Sequence, residues 1–142
     1  MSWNDVVSQW HEFNEVYAQA AARRGLSESA FDIFYAVVEL GDGCSQREIG
    51  AAAYLGKQTV NTSVHRLAAE GLLAVEREPH RRSSRVSLTE EGRRFAERAI
   101  EPVRAIEQEV FDSLSEQDRK AFVRIQRAYL DELRRRMAEL DG

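Results

Sequence analysis

A single cysteine, Cys44, rules out an intrachain disulfide in this 142-residue chain and leaves no cysteine cluster able to hold a structural zinc. Burial and packing must therefore supply its stability, and Cys44 reads as an ordinary residue. The three histidines, His11, His65 and His80, are too widely spaced for a metal motif. No uninterrupted apolar run approaches the roughly 20 residues of a membrane-spanning helix. The first residues, Met1-Ser2-Trp3-Asn4-Asp5, have neither a basic start nor an apolar block with a cleavage site, which predicts no secretory signal and a cytoplasmic protein. A glycine-rich phosphate loop, a His-x-Glu with paired cysteines and a nucleophile elbow are all missing, so neither an enzyme nor a cofactor or metal is expected. Nor is there a basic surplus, since the net charge is −4.

That net charge argues only weakly against a nucleic-acid partner, because attraction to phosphate depends on where the charges lie. Between residues 77 and 85, Arg77, Arg81, Arg82 and Arg85 face one acid, Glu78, whereas acids are spread through both ends of the chain. With 43% hydrophobic and 31% charged residues, the composition suits a globular protein, and the length predicts one domain over 1–142.

From Trp3 to Ala21, apolar residues at Trp3, Val6, Val7, Trp10, Phe13, Tyr17, Ala20 and Ala21 recur every three or four positions, the stripe of an amphipathic helix. Gly25 can end it and Ser27 can cap a second helix, which runs to Leu40 and stops at Gly41-Asp42-Gly43. Ser45-Gln46-Arg47-Glu48 forms a capping box that starts a short third helix, Gln46 to Ala53. A brief turn leads to a fourth segment, Lys57 to Glu70, with Val60, Val64, Leu67 and Ala68 on one face. Two short helices joined so closely predict a helix-turn-helix.

Alternation around Leu73, Val75 and Arg77, and again around Val86 and Leu88, predicts a β-hairpin. Its connection, Glu78 to Ser84, is longer than most hairpin loops and carries Pro79, His80, Arg81 and Arg82, a candidate wing. Thr89 can cap a long helix past Val110 that Pro102 should kink. Ser115 can cap a last helix with a Phe122, Ile125, Tyr129, Leu133, Met137 and Leu140 stripe, and Arg134, Arg135 and Arg136 are expected in its last turns, where cations suit the helix dipole.

In its order of elements the chain resembles the MarR (multiple antibiotic resistance regulator) family of bacterial transcription regulators. The specific match lies between Ser45 and Gly92: Gln46-Arg47-Glu48-Ile49-Gly50 through Thr59-Val60-Asn61, then Arg66-Leu67-Ala68-Ala69-Glu70-Gly71-Leu72, and Leu88-Thr89-Glu90-Glu91-Gly92 at the entry to the fifth helix. Where the family's wing commonly carries Pro-Asp-x-Arg, this sequence reads Pro79-His80-Arg81-Arg82, keeping the arginine and replacing the aspartate. The resemblance implies a mainly α fold with a small β-wing, a winged helix-turn-helix over 28–95, and dimerisation helices at 1–25 and 100–142.

With Val60, Val64 and Leu67 facing inward, Gln58, Thr62 and His65 point outward, with Asn61 and Arg66 on the shoulders. Glutamine and asparagine can pair with adenine, arginine with guanine and a threonine methyl with thymine, which is the chemistry of major-groove reading. The candidate DNA-binding residues are Ser45, Lys57, Gln58, Thr59, Asn61, Thr62, His65 and Arg66, joined by Arg77, Arg81, Arg82 and Arg85 near the wing. Apolar stripes at both ends exceed what a small domain needs for itself, so a partner should bury the remainder; the resemblance implies that this partner is a second copy, giving a homodimer on a pseudo-palindromic double-stranded DNA operator. The resemblance further implies a small, often aromatic effector, for which Trp10, His11, Phe13, Asn14, Phe31 and Tyr35 are candidate lining residues. The function expected is a sequence-specific dimeric repressor released by its effector. The alternative is a winged-helix scaffold that docks proteins and does not bind DNA specifically.

Overall fold

Short hydroxyl side chains placed just before apolar stripes set most of the helix starts. The structure, a computed structural model, describes residues 1–77, 79 and 84–142. It divides into two compact units, Met1–Glu101 and Pro102–Gly142.

In the first unit, α1 (Trp3–Arg23) begins where the Ser2 amide donates to Asp5 Oδ2 at 2.6 Å, and the chain leaves it through Gly25 at φ +74°. Ser27 Oγ accepts from the Ala30 amide at 3.2 Å and starts α2 (Glu28–Leu40), which supplies much of the core: Ala30, Phe31, Ile33, Phe34, Ala36 and Val37 are all buried. Such a broad buried face makes α2 the element on which the others pack. Gly41 ends it at φ +87°. Next come β1 (Cys44–Ser45), α3 (Gln46–Ala53), α4 (Lys57–Ala69), β2 (Leu73–Arg77), β3 (Ser84–Leu88) and α5 (Glu90–Ala99).

The expected hairpin is present and has a third strand. β3 lies at the centre of an antiparallel sheet in the order β1-β3-β2, with Cys44 opposite Val86 and Val75 also opposite Val86. Two residues are too few for alternation to reveal, and Gly41-Asp42-Gly43 reads as a simple breaker. Cys44 is buried, its Sγ lies 3.5 Å from the Val86 carbonyl, and burial pushes the thiol up from its ordinary pKa. Burial thus works against the thiolate that redox sensing needs.

Thr89 joins sheet to helix: its Oγ1 accepts from the Gly92 amide at 2.9 Å and donates to the Gly71 carbonyl at 2.6 Å. On α5, Phe95 meets Phe34 edge-on at 5.2 Å. The single kinked helix expected across Pro102 is instead two helices, α5 and α6 (Glu101–Asp112), separated at Ile100. Pro102 falls in the first turn of α6, where its missing amide costs nothing; within a continuous helix its ring would strike the Arg98 carbonyl. The last carbonyl of α5, at Ala99, accepts from Arg24 Nε at 2.7 Å.

In the second unit, Ser115 Oγ accepts from the Asp118 amide and starts α7 (Glu116–Asp141), in which no residue is buried. Arg134, Arg135 and Arg136 lie in its last two turns but short of the final one, which carries no basic residue. They pair with acids instead, Arg135 with Glu132 and Glu139, Arg136 with Glu132, and Arg134 with Asp131. Hydrogen bonds from Arg135 and Arg136 hold the Glu132 carboxyl down at about 2. Among the described residues, no helix is long and apolar enough to cross a membrane.

Candidate nucleic-acid interface

The capping box at the head of α3 closes in both directions: the Glu48 amide donates to Ser45 Oγ and the Ser45 amide donates to Glu48 Oε1, each at 3.0 Å. These bonds hold the Glu48 carboxyl below its ordinary range, the Ser45 amide contributing most. Ile49, buried completely, points α3 into the core. Gly50 lets the turn close, since a Cβ there would stand 3.2 Å from the Leu55 carbonyl oxygen and 3.5 Å from Val60 Cγ2.

Val60, Ser63, Val64 and Leu67 are buried along one side of α4. That anchoring leaves Lys57, Gln58, Thr59, Asn61, Thr62, His65 and Arg66 all exposed. Gln58, Thr62 and His65 lie opposite the packed side, Asn61 and Arg66 flank them, and Lys57 and Thr59 stand at the two edges. No acid occurs in the first turn, and Arg66 Nε is 3.6 Å from Glu70 Oε1 in an exposed pair one turn apart. Exposed pairs of this kind are weak, so Arg66 stays available to a competing anion.

Arg77 ends β2 opposite Ser84 and is exposed. Arg85 is half-buried, and its guanidinium donates to the Gly43 carbonyl at 3.0 Å, while Ser45 is likewise half-buried inside its capping box. Both of these candidates carry local structure. The expectations at His80, Arg81 and Arg82 lie outside the described residues.

The base of the wing has an anchor that sequence reasoning missed. Asp42 Oδ1 accepts from the Leu88 amide at 3.0 Å and Oδ2 accepts from Arg93 at 2.6 Å, which lowers the Asp42 pKa, the Leu88 bond being the larger cause. Beside it, the Gly43 amide donates to Ser87 Oγ at 2.9 Å. The available signal was an acid between two glycines, Gly41 at φ +87° and Gly43 at φ +82°, a loop too constrained to be a mere break.

The candidate effector residues are not gathered into one cavity. Trp10 and Phe13 are exposed on α1 with His11 and Asn14, and Trp10 meets Trp3 edge-on at 5.1 Å. Phe31 is core and lies 6.2 Å from the half-buried Tyr35. A cavity of about 240 Å³ at α2 and α3 is lined by Asp32, Tyr35, Ala36, Glu39, Ala52 and Ala53, so Tyr35 alone of the six reaches it. Loss of water, and then repulsion from Glu28, raises the Asp32 pKa. Among the described residues, no group of three or more His, Cys, Asp or Glu is placed to hold a metal ion.

The family model described as "MarR family" matches residues 24–83, which take in α2, β1, α3, α4 and β2 and stop before β3. None of the curated proteins matches the sequence. Among solved structures, a MarR family regulator from Neisseria meningitidis superposes with a TM-score of 0.78 at 24% identity, covering 100% of both chains. The BpsR protein of Bordetella bronchiseptica, solved in work on regulation of its DNA binding by 6-hydroxynicotinic acid, gives 0.69 at 26% identity over 92% of this chain and 94% of that one. A MarR family transcriptional regulator from Silicibacter pomeroyi gives 0.66 at 28% identity over 87% and 83%.

Proposed function

We propose that this chain, a winged helix-turn-helix protein of the MarR family, is a sequence-specific DNA-binding transcription regulator that acts as a homodimer in the cytoplasm, represses transcription and is released by a small aromatic effector. The observation that carries the reading is the division of α4 into a fully packed side and a remainder in which Lys57, Gln58, Thr59, Asn61, Thr62, His65 and Arg66 are all exposed. A helix held this way offers donors, acceptors and a methyl to base edges, with cations at its ends for phosphate. Residues 28–95 make up the reading head, with Arg77, Arg81, Arg82, Arg85 and Ser45 contributing at the wing and its base.

Residues 1–25 and 100–142 serve as dimerisation helices within one functional domain. The support is uncovered apolar surface: α1 exposes Trp3, Trp10, Phe13 and Val16, and the 26-residue α7 buries nothing. A second copy covering these faces would set two α4 helices about one DNA turn apart, matching a pseudo-palindromic operator. Trp10, His11, Phe13, Asn14, Phe31 and Tyr35 are assigned to the effector, on the precedent of BpsR, whose DNA binding is regulated by 6-hydroxynicotinic acid. An effector that prefers the spacing incompatible with DNA lowers operator affinity by linkage.

The test is a titration of the protein against labelled promoter DNA at several salt concentrations. Affinity is expected to fall steeply with salt, and Arg82→Ala to reduce the log-log slope by about 1 per subunit. Absence of binding at low salt to any sequence selected from random DNA would replace this reading with the protein-docking scaffold.

A further inference from the structure

The turn between α3 and α4 holds its backbone in a conformation that its side chain opposes. Tyr54 has φ +55° and ψ +43°, the left-handed region, and is the only non-glycine residue with positive φ among those described. At the other four such positions, 25, 41, 43 and 71, the chain uses glycine. The conformation is required by the turn itself: the Tyr54 amide donates to the Gly50 carbonyl, and so does the Leu55 amide at 3.1 Å, the paired closure that ends a helix through a left-handed residue. Glycine satisfies this geometry freely, whereas a Cβ crowds the backbone.

Packing does not compensate. Tyr54 is 86% exposed, so its ring gains little from the fold. A bulky aromatic in a strained backbone position, with almost no contact of its own, costs the folded chain and returns nothing to it. Its place in the chain supplies the missing partner: it stands three residues before Lys57, at the entry to the helix whose exposed face reads the groove. A phenol suits that position, because it is a neutral donor with little desolvation penalty beside an anionic oxygen.

We propose that Tyr54 is a DNA-backbone contact, its hydroxyl donating a hydrogen bond to a phosphate at the edge of the groove that α4 enters. The contact rests on the DNA-binding reading above and fixes the depth and register of α4 from outside the bases. Each protomer supplies one, so the operator carries a symmetric pair.

The experiment compares full-length wild type, Tyr54→Asn, Tyr54→Phe and Lys57→Ala on DNA selected by the wild type, with Kd, its salt slope and the Tm of each protein. Asparagine tolerates the left-handed region, so Tyr54→Asn is expected to keep or raise Tm while binding DNA about tenfold more weakly, the scale of a hydrogen bond to a charged acceptor. Tyr54→Phe is expected to lose the same affinity, since it lacks only the hydroxyl. Both should keep the wild-type salt slope, whereas Lys57→Ala lowers it. Wild-type affinity in either Tyr54 variant overturns the proposal, as does a Tm several degrees lower in Tyr54→Asn, which would make the tyrosine a folding residue. Wild type that binds no DNA removes the functional reading together with this contact, whereas binding by wild type and equal binding by the variants removes this contact alone.

Discussion

Gly92 shows how much a single atom can decide. It sits in the first turn of α5, below the Thr89 cap, and a Cβ there would collide with the backbone carbonyl of Leu72. Because that carbonyl also accepts from the Thr89 amide at 3.2 Å, it cannot move without loosening the sheet-to-helix junction. Gly92→Ala is therefore expected to destabilise the protein by about 1–3 kcal/mol, the usual range for overpacking, despite the better helix propensity of alanine. Denaturant unfolding measures it, and an unchanged midpoint would contradict the collision. The glycine was visible in the sequence as part of Leu-Thr-x-x-Gly, but its reason was not, since Leu72 and Gly92 meet only in three dimensions.

At the scale of elements, the wing is held at its base by the loop before β1. Asp42 joins that loop to β3 and α5 through the Leu88 amide and Arg93, and its lowered pKa fixes the sign of a pH effect. The stabilisation is complete above the unfolded value of about 4 and is lost as pH falls through the lower folded value. Both partners are substantially exposed, so the contribution is modest, about half a kcal/mol. Asp42→Asn keeps an acceptor for Leu88 but removes the charge facing Arg93. Its Tm should trail the wild type at pH 7 and close on it as pH falls below about 4 through the lowered folded value, and parallel curves would dissociate Asp42 from the wing base. Helix starts at Ser27, Ser45, Thr89 and Ser115 were legible because a cap is a local interaction. β1 was not, because it is defined by its partner strand; at Pro102 the proline signalled a disruption, though the sequence read it as a kink and not as the break at Ile100.

For the whole molecule, the proposed dimer turns on the apolar faces of the terminal helices. Phe122 and Ile125 lie one turn apart on α7, 44% and 56% exposed. If a second copy covers them, Phe122→Asp combined with Ile125→Asp should raise the dimer dissociation constant about 100-fold or more, given the transfer free energy of two buried side chains. Operator affinity should fall with it, while helical content is kept. Sedimentation of the native chain as a monomer at micromolar concentration would overturn the dimer.

Sequence alone determined what depends on neighbours along the chain: the helical stripes, the hydroxyl caps, the helix-turn-helix spacing and the outward polar side of α4, because period and capping are short-range effects. Tertiary structure decided what depends on residues far apart in sequence. It paired Cys44 with Val86, tied Asp42 to Arg93, turned Arg85 toward Gly43 and kept Phe31 in the core. Each of those outcomes follows from chain closure and packing around α2, which no local pattern encodes.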